Sequence, residues 1–280
     1  MQILNIAKQQ LNANEQGQVI EKFSDYFGEI RDFGPKDRDY PETAGKRVKK
    51  LGEDEANKAR DLLVEVAEES VNRIQNVTDS EVEPGLILFV GSGVRDGHGI
   101  LVDGDAWVAL DLKTFADRLE VHDQAIYLAH EATHAFHYAN SPSFYFGNDG
   151  EFLVRPPVFK MMVAEGLATY VSFLATPGTI HDAYWFGRYS REKVEEWIGS
   201  CERERDRIAD RIDTGESEVP SDLMEELFAV TGRDLGKART GYYYGTKIVQ
   251  NVIEENDLGT ALNMELSDYK NYIYSYFELG

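Results

Sequence analysis

Hydrophobic residues recur at every third or fourth position over several long stretches of the chain, and this spacing predicts helices with one buried face. The pattern is clearest over 54–77, and it returns over 158–175 and 241–255. A further helical region is predicted over 1–33. Most of the chain is therefore predicted to be helical.

The pattern changes between residues 85 and 112, where short apolar runs alternate with turns rich in glycine and aspartate. The runs 86–90, 100–102 and 107–112 predict the strands of a small, mostly antiparallel sheet. Because helices lie on both sides of this segment in the sequence, the fold class is predicted to be α+β.

A cluster of glycines at positions 91, 93, 97 and 99 superficially resembles a phosphate-binding loop. A phosphate loop leads into the N-terminus of a helix, whereas this cluster leads into another apolar run typical of a strand. The glycines are therefore predicted to connect two strands, and His98 is predicted to lie in the same loop.

The amino-acid composition disfavours some binding partners and excludes some kinds of metal site. The net charge of −21 disfavours binding to nucleic acid or to an anionic membrane. No apolar run approaches the length of roughly 20 residues that spans a membrane, and no secretory signal is recognised at the start, so a cytoplasmic protein is expected. Cys201 is the single cysteine, which excludes an intramolecular disulfide and a cysteine-based zinc site.

The sequence His130-Glu131-Ala132-Thr133-His134 has the HExxH pattern and falls within a helix-like run. Residues four apart lie on one face of a helix, so His130 and His134 can bind one zinc ion. Glu131 lies beside them, where its carboxylate can act as a general base. Such a site needs a third protein ligand and one open position.

Glu165 is the predicted third ligand. The metzincin continuation of the motif is absent, because position 137 is histidine and position 140 is asparagine. His137 lies too far along the helix axis for a tetrahedral site, and is predicted to border the cleft or to pack. Glu165 lies on the next predicted helix among small residues, which allow two helices to approach closely. Asp149 and Glu151 are competitors in a loop.

Three segments carry a family resemblance. HEATH followed by EGLATY resembles the gluzincin pattern, and RTGYYYGTKIV at 239–249 is similar to a late GYxxGxxIV segment of predicted zinc-dependent proteases of the DUF2268 type. The resemblance covers roughly 85–255. The spacing from the second histidine to the glutamate is longer than in thermolysin-like enzymes. A zincin-like fold is implied, as one domain in two lobes (about 1–142 and about 143–280).

The resemblance also implies a reaction and roles for individual residues. Zn²⁺ is the implied cofactor and a peptide or protein the implied substrate, with Glu131 as the general base. Tyr242, whose predicted helix face points inward, is the implied stabiliser of the oxyanion. The strand 107–112 is the implied edge that pairs with an extended peptide, through Trp107, Ala109 and Leu110.

Two other functions are compatible with these residues. The first is a zinc hydrolase that acts on a non-peptide amide or a small molecule, with the same active-site residues. The second is a non-catalytic binding protein on a zincin fold, against which the intact Glu131 counts, because a protein without catalysis has no need of the base.

Overall fold

A computed structural model gives the fold, and it describes most of the chain. The described residues are 1–5, 53–89, 97–118, 124–145, 157–212, 221–229, 235 and 238–279. The helical region predicted over 1–33 lies, beyond residue 5, outside the described residues.

The sheet has four described strands. They are β1 (Ile3–Asn5), β2 (Gly85–Phe89), β3 (Gly97–Val102) and β4 (Asp105–Asp111). The order across the sheet is β1-β2-β4-β3. β1 and β4 both run parallel to β2, and only β3 and β4 are antiparallel.

The prediction of a mostly antiparallel sheet is therefore wrong, and the sheet is mixed. β3 follows β2 in the chain but does not pair with it, and β4 takes the place beside β2. The one antiparallel pair is closed at Asp103 and Gly104, which both have positive φ, as a tight two-residue hairpin requires. His98 lies within β3, so its predicted place in a loop is also wrong.

Helices make up most of the described chain, and the α+β class is confirmed. They are α1 (Glu53–Thr78), α2 (Leu112–Arg118), α3 (Gln124–Asn140), a 3-10 turn (Pro142–Phe144), α4 (Val158–Ala175), α5 (Ile180–Trp185), α6 (Arg191–Ile212), α7 (Ser221–Phe228), α8 (Thr240–Glu255), α9 (Leu258–Asn263) and α10 (Leu266–Phe277). The helices predicted over 54–77, 158–175 and 241–255 agree with α1, α4 and α8 to within one residue.

The helix α3, which carries the HExxH residues, lies in the core between the sheet and α4. Every residue from Ile126 to Tyr138 is buried. β3 crosses this helix in backbone contact, since a Cβ atom on Gly99 would lie 2.3 Å from the amide nitrogen of Ala135 and 2.6 Å from Cβ of His134. The glycine thus allows the strand to lie directly on the helix at His134.

Helices α4 and α8 meet through two glycines. A Cβ atom on Gly166 would lie 2.1 Å from the carbonyl carbon of Gly245, and a Cβ atom on Gly245 would lie 1.8 Å from the carbonyl oxygen of Met162. The small residue beside Glu165 therefore serves contact with α8, whereas the sequence predicted contact with the motif helix. This crossing brings Glu165 of α4 close to Tyr242 in the first turns of α8.

The helix α4 is apolar enough to be compared with a membrane span. Within the described part of the chain it is the one helix that passes a test of length and hydropathy for crossing a membrane, and 72% of it is buried inside the molecule. It contributes Met162, Val163 and Leu167 to the hydrophobic core. Such burial is characteristic of a core helix.

Candidate metal centre

The side chains of His130, His134 and Glu165 converge on one point between α3 and α4. Nε2 of His130 lies 3.1 Å from Oε2 of Glu165, and Nε2 of His134 lies 3.6 Å from the same oxygen. All three atoms lie within 4.8 Å of one another. The predicted ligands are thus brought together, and the group could hold a metal ion.

The spacing of these atoms can be compared with the geometry of a bound ion. Nitrogen and oxygen ligands about 2.1 Å from a tetrahedral zinc ion lie about 3.4 Å from each other. The two distances to Glu165, 3.1 and 3.6 Å, fall on either side of that value. Two imidazoles and one carboxylate also form the donor set of many catalytic zinc sites, which leave a fourth position open. The donor set and the distances from Glu165 to the two histidines therefore suit a divalent ion.

The pKa values of the three side chains are shifted by burial and by their mutual charges. Burial raises the pKa of Glu165, but the neighbouring His134 and His130 outweigh it and hold that pKa well below its usual range. Burial lowers the pKa of His134, yet the carboxylates of Glu165 and Glu131 raise it overall. Burial lowers the pKa of His130 to about 4. Without metal, the arrangement therefore favours the charged form of Glu165 and strengthens the binding of a proton by His134, and a metal ion would compete with that proton.

Glu131 is buried next to these ligands on α3. Its carboxylate is near enough to contribute to the raised pKa values of His134, Tyr138 and Tyr242. It is not part of the converging His-His-Glu group. Its position therefore leaves it available for proton transfer beside an ion rather than as a ligand to it.

Two tyrosine rings stack on the two histidines. Tyr242 lies with its ring centroid 6.0 Å from that of His130, and Tyr138 lies 5.7 Å from His134, both nearly parallel. Burial, with a hydrogen bond to Glu165 among the further causes, raises the pKa of Tyr242 well above its usual value. Its phenol thus stays protonated and can donate a hydrogen bond. The sequence placed Tyr242 at the site; Tyr138 was missed, although it follows His134 by one helical turn.

The prediction that the strand 107–112 is a sheet edge that pairs with a peptide is wrong. Trp107, Ala109 and Leu110 are buried in β4, which pairs with β2 on one side and β3 on the other. The backbone of β4 is therefore already hydrogen-bonded on both sides and cannot add a substrate strand. Among the described strands, β3 is the edge on the side of the motif helix.

Arg239 is the first residue of the segment 239–249, for which the sequence predicted no role of this residue, and the structure places it beside the site. It is 1% exposed and stacks against the ring of Tyr242, with its Cζ atom 3.8 Å from the ring centroid. Its spacing gave no signal, because Arg239 precedes the first residue of α8 and has a left-handed backbone, so the contact with Tyr242 does not follow from helical periodicity.

His137 is buried against aromatic rings one turn beyond His134. Its ring centroid lies 4.3 Å from that of Phe144. Neither ring nitrogen has a hydrogen-bond partner within the described part of the chain. It is absent from the converging group that could hold a metal. Of the two predicted roles, the structure shows packing.

Protonation of His137 is expected to make the fold sensitive to acid. Burial, with the adjacent His134, lowers its pKa to about 3, whereas an unfolded histidine titrates near 6.5. As pH falls below about 6.5 the unfolded chain gains a proton that the folded chain refuses, so stability falls by up to about 1.4 kcal/mol per pH unit. His137→Phe keeps the ring packing and removes this dependence.

The measurement is urea unfolding of both proteins from pH 7 to 4 in the presence of a chelator. The advantage of His137→Phe over wild type should grow as pH falls. His181→Phe is the control, because His181 is only partly buried and lies 3.8 Å from Glu195. Parallel stability curves for wild type and His137→Phe would contradict the expectation.

Comparison with known proteins adds no identification. The chain matches no protein-family model, no curated protein and no solved structure. The resemblance to gluzincins and to the DUF2268-type proteases stays a prediction that depends on the three sequence segments. The described fold and site define an α+β protein with a candidate His-His-Glu metal centre.

Proposed function

We propose that this protein is a zinc-dependent peptidase that uses Glu131 as its general base. The observation that carries the proposal is the convergence of His130, His134 and Glu165 at ligand distances, with a second carboxylate beside them on the same helix. Two histidines with one glutamate favour zinc over the harder divalent ions. A zinc ion held there supplies Lewis acidity, which polarises a carbonyl and lowers the pKa of water toward about 7.

The surrounding residues support acyl-group hydrolysis. Glu131 can accept a proton from water and deliver it to the leaving amine. Tyr242 carries a protonated phenol at the site and can donate a hydrogen bond to an oxyanion. Stacking on His130 keeps that ring close to the ligands. Acid–base and oxyanion groups are therefore both present beside the candidate metal position.

The sheet favours a peptide over a small-molecule amide as the substrate. Among the described strands, β3 is an outer strand of the sheet, and it lies in backbone contact with α3 at His134. An extended peptide can add to such an edge through main-chain hydrogen bonds, and there it would run beside the ligands. The alternative non-peptide hydrolase would use the same residues without needing this edge. A cytoplasmic location, and the lack of nucleic-acid and membrane partners, stay predictions.

The test is metal analysis combined with cleavage of a peptide library, for wild type and for Glu131→Gln. Wild type is expected to bind one zinc ion and to cleave peptides. Glu131→Gln should keep the zinc and lose about 10²- to 10⁴-fold in kcat/KM, the usual contribution of a general base.

Glu254→Gln, an exposed change on α8, is the matched control and should behave as wild type. Equal cleavage by Glu131→Gln and wild type would assign the activity to a contaminant. Zinc binding without any cleavage would instead favour the non-catalytic binding protein or the small-molecule hydrolase.

A further inference from the structure

Arg239 is a buried cation without an acidic partner in the described part of the chain. It is 1% exposed. Its Nε and Nη2 atoms have no hydrogen-bond partner there, and no described carboxylate lies within 4.0 Å of its guanidinium. Burying a charge is costly, and the contacts that the described residues make with this guanidinium come from aromatic rings.

Three aromatic rings provide those contacts. The Cζ atom of Arg239 lies 3.8 Å from the ring centroid of Tyr242, 4.6 Å from that of Phe186 and 5.4 Å from that of Trp185. These are cation–π distances, and such attraction is strongest where water is excluded. A guanidinium suits this environment better than an ammonium, because it is flat, weakly hydrated and stacks on rings.

Two of these rings also contact His130. Tyr242 stacks nearly parallel to the imidazole, at 6.0 Å between centroids. Phe186 approaches it edge-on at 5.1 Å. Arg239 therefore contacts two aromatic residues, Tyr242 and Phe186, that border this candidate ligand.

The backbone around Arg239 is fixed independently of its side chain. Nε1 of the buried Trp197 donates a hydrogen bond to the carbonyl oxygen of Ala238, at 2.7 Å. Arg239 itself has a left-handed backbone with φ of 56° at the start of α8. Its carbonyl oxygen accepts a hydrogen bond from the amide of Tyr242, at 3.1 Å. This turn sets the guanidinium beside the tyrosine ring.

We propose that Arg239 is a positioning residue, which holds the ring of Tyr242 against His130 and so keeps the phenol hydroxyl at the candidate metal site. The consequence for catalysis rests on the proposed peptidase function, whereas the positioning itself does not. Arg239 contributes through Tyr242 and makes no contact of its own with substrate.

The positioning is tested first without metal and without substrate. Tyrosine rings are labelled with ¹³C, and the resonance of Tyr242 is assigned by its loss in Tyr242→Phe, all in chelator. Arg239→Lys and Arg239→Met should each move or broaden that resonance beyond its line width. Arg188→Met is the matched control, because Arg188 is exposed and lies 5.6 Å from the ring of Tyr189, which is not one of the three rings that contact the Arg239 guanidinium.

An unchanged Tyr242 resonance in both variants would overturn the proposal. So would unfolding of both variants, because Arg239 would then be a general structural residue. These outcomes are independent of whether the protein cleaves peptides, so failure here is distinguishable from failure of the proposed function.

The catalytic consequence is tested by kinetics. Each Arg239 variant should lose about 10- to 100-fold in kcat, somewhat less than the usual cost of removing an oxyanion donor, with KM and zinc affinity unchanged. Because Arg239 acts through Tyr242, the Arg239→Met/Tyr242→Phe double variant should be no slower than Tyr242→Phe alone. Multiplied losses together with a raised KM would show direct substrate binding by Arg239 and overturn the proposal.

Discussion

Replacing Glu165 by alanine is expected to lower the affinity for zinc by more than about 100-fold, since even the loss of a residue that only orients a metal ligand costs about 10- to 100-fold. The carboxylate contributes one of the three converging atoms, and its oxygen lies within 3.6 Å of both imidazole nitrogens. Without it, two histidines four residues apart are left to hold the ion. Glu165→Gln should give a smaller loss, because an amide oxygen keeps the shape but not the charge.

The measurement is competition with a chromophoric chelator at neutral pH. Glu195→Ala is the matched control, because Glu195 also faces a histidine, His181, yet among the described residues it belongs to no group of three potential ligands. It should bind zinc as wild type does. Wild-type affinity in Glu165→Ala would exclude Glu165 as a ligand and remove the main support for the metal centre.

The site residues that lie together on one helix could be predicted from the sequence. His130, Glu131 and His134 lie within two turns of α3, where the spacing alone fixes their common face. Glu165 could be predicted from chemistry, because a carboxylate among apolar neighbours needs a buried partner. The structure brings Glu165 to both histidines, as that argument requires.

The order of the strands could not be predicted, and this led to the wrong substrate edge. Consecutive strands often pair, and β2 and β3 are consecutive. The structure instead pairs β2 with β4, and pairs β1 with β2 across a long separation in the sequence. The local pattern of 107–112 is the same whether that strand lies at the edge or inside, because only neighbours distant in the chain distinguish the two.

The burial of Arg239 and the crossing of α4 with α8 could not be predicted from the sequence either, because both depend on contacts between distant parts of the chain. An arginine before a helix is usually exposed. Here it is buried against Trp185, the last residue of α5, and against Phe186, which follows that helix. The small residues around Glu165, Gly166 among them, were predicted to bring α4 close to the motif helix, but Gly166 contacts a different helix. Its partner could not be identified without the structure, which shows contact with Gly245 of α8.

Gly245→Ala is expected to destabilise the fold by about 3 kcal/mol, at the upper end of the usual cost of overpacking. The added methyl group would lie 1.8 Å from the carbonyl oxygen of Met162, which belongs to the backbone of α4 and cannot rotate away. On a helix with free space, the same change gains up to about 1 kcal/mol in helix propensity. The sign of the measured effect therefore reports whether the two backbones touch.

Chemical unfolding of the metal-free protein measures this effect. Gly199→Ala on α6 is the matched control, because the nearest atom to its added methyl group is the end of the flexible Arg203 side chain, at 3.4 Å. That variant should be as stable as wild type or more so. Equal stability of Gly245→Ala and Gly199→Ala would contradict the close crossing. A destabilised Gly245→Ala that also binds zinc more weakly would link the crossing to the site, because the same contact holds α4, with Glu165, against α8.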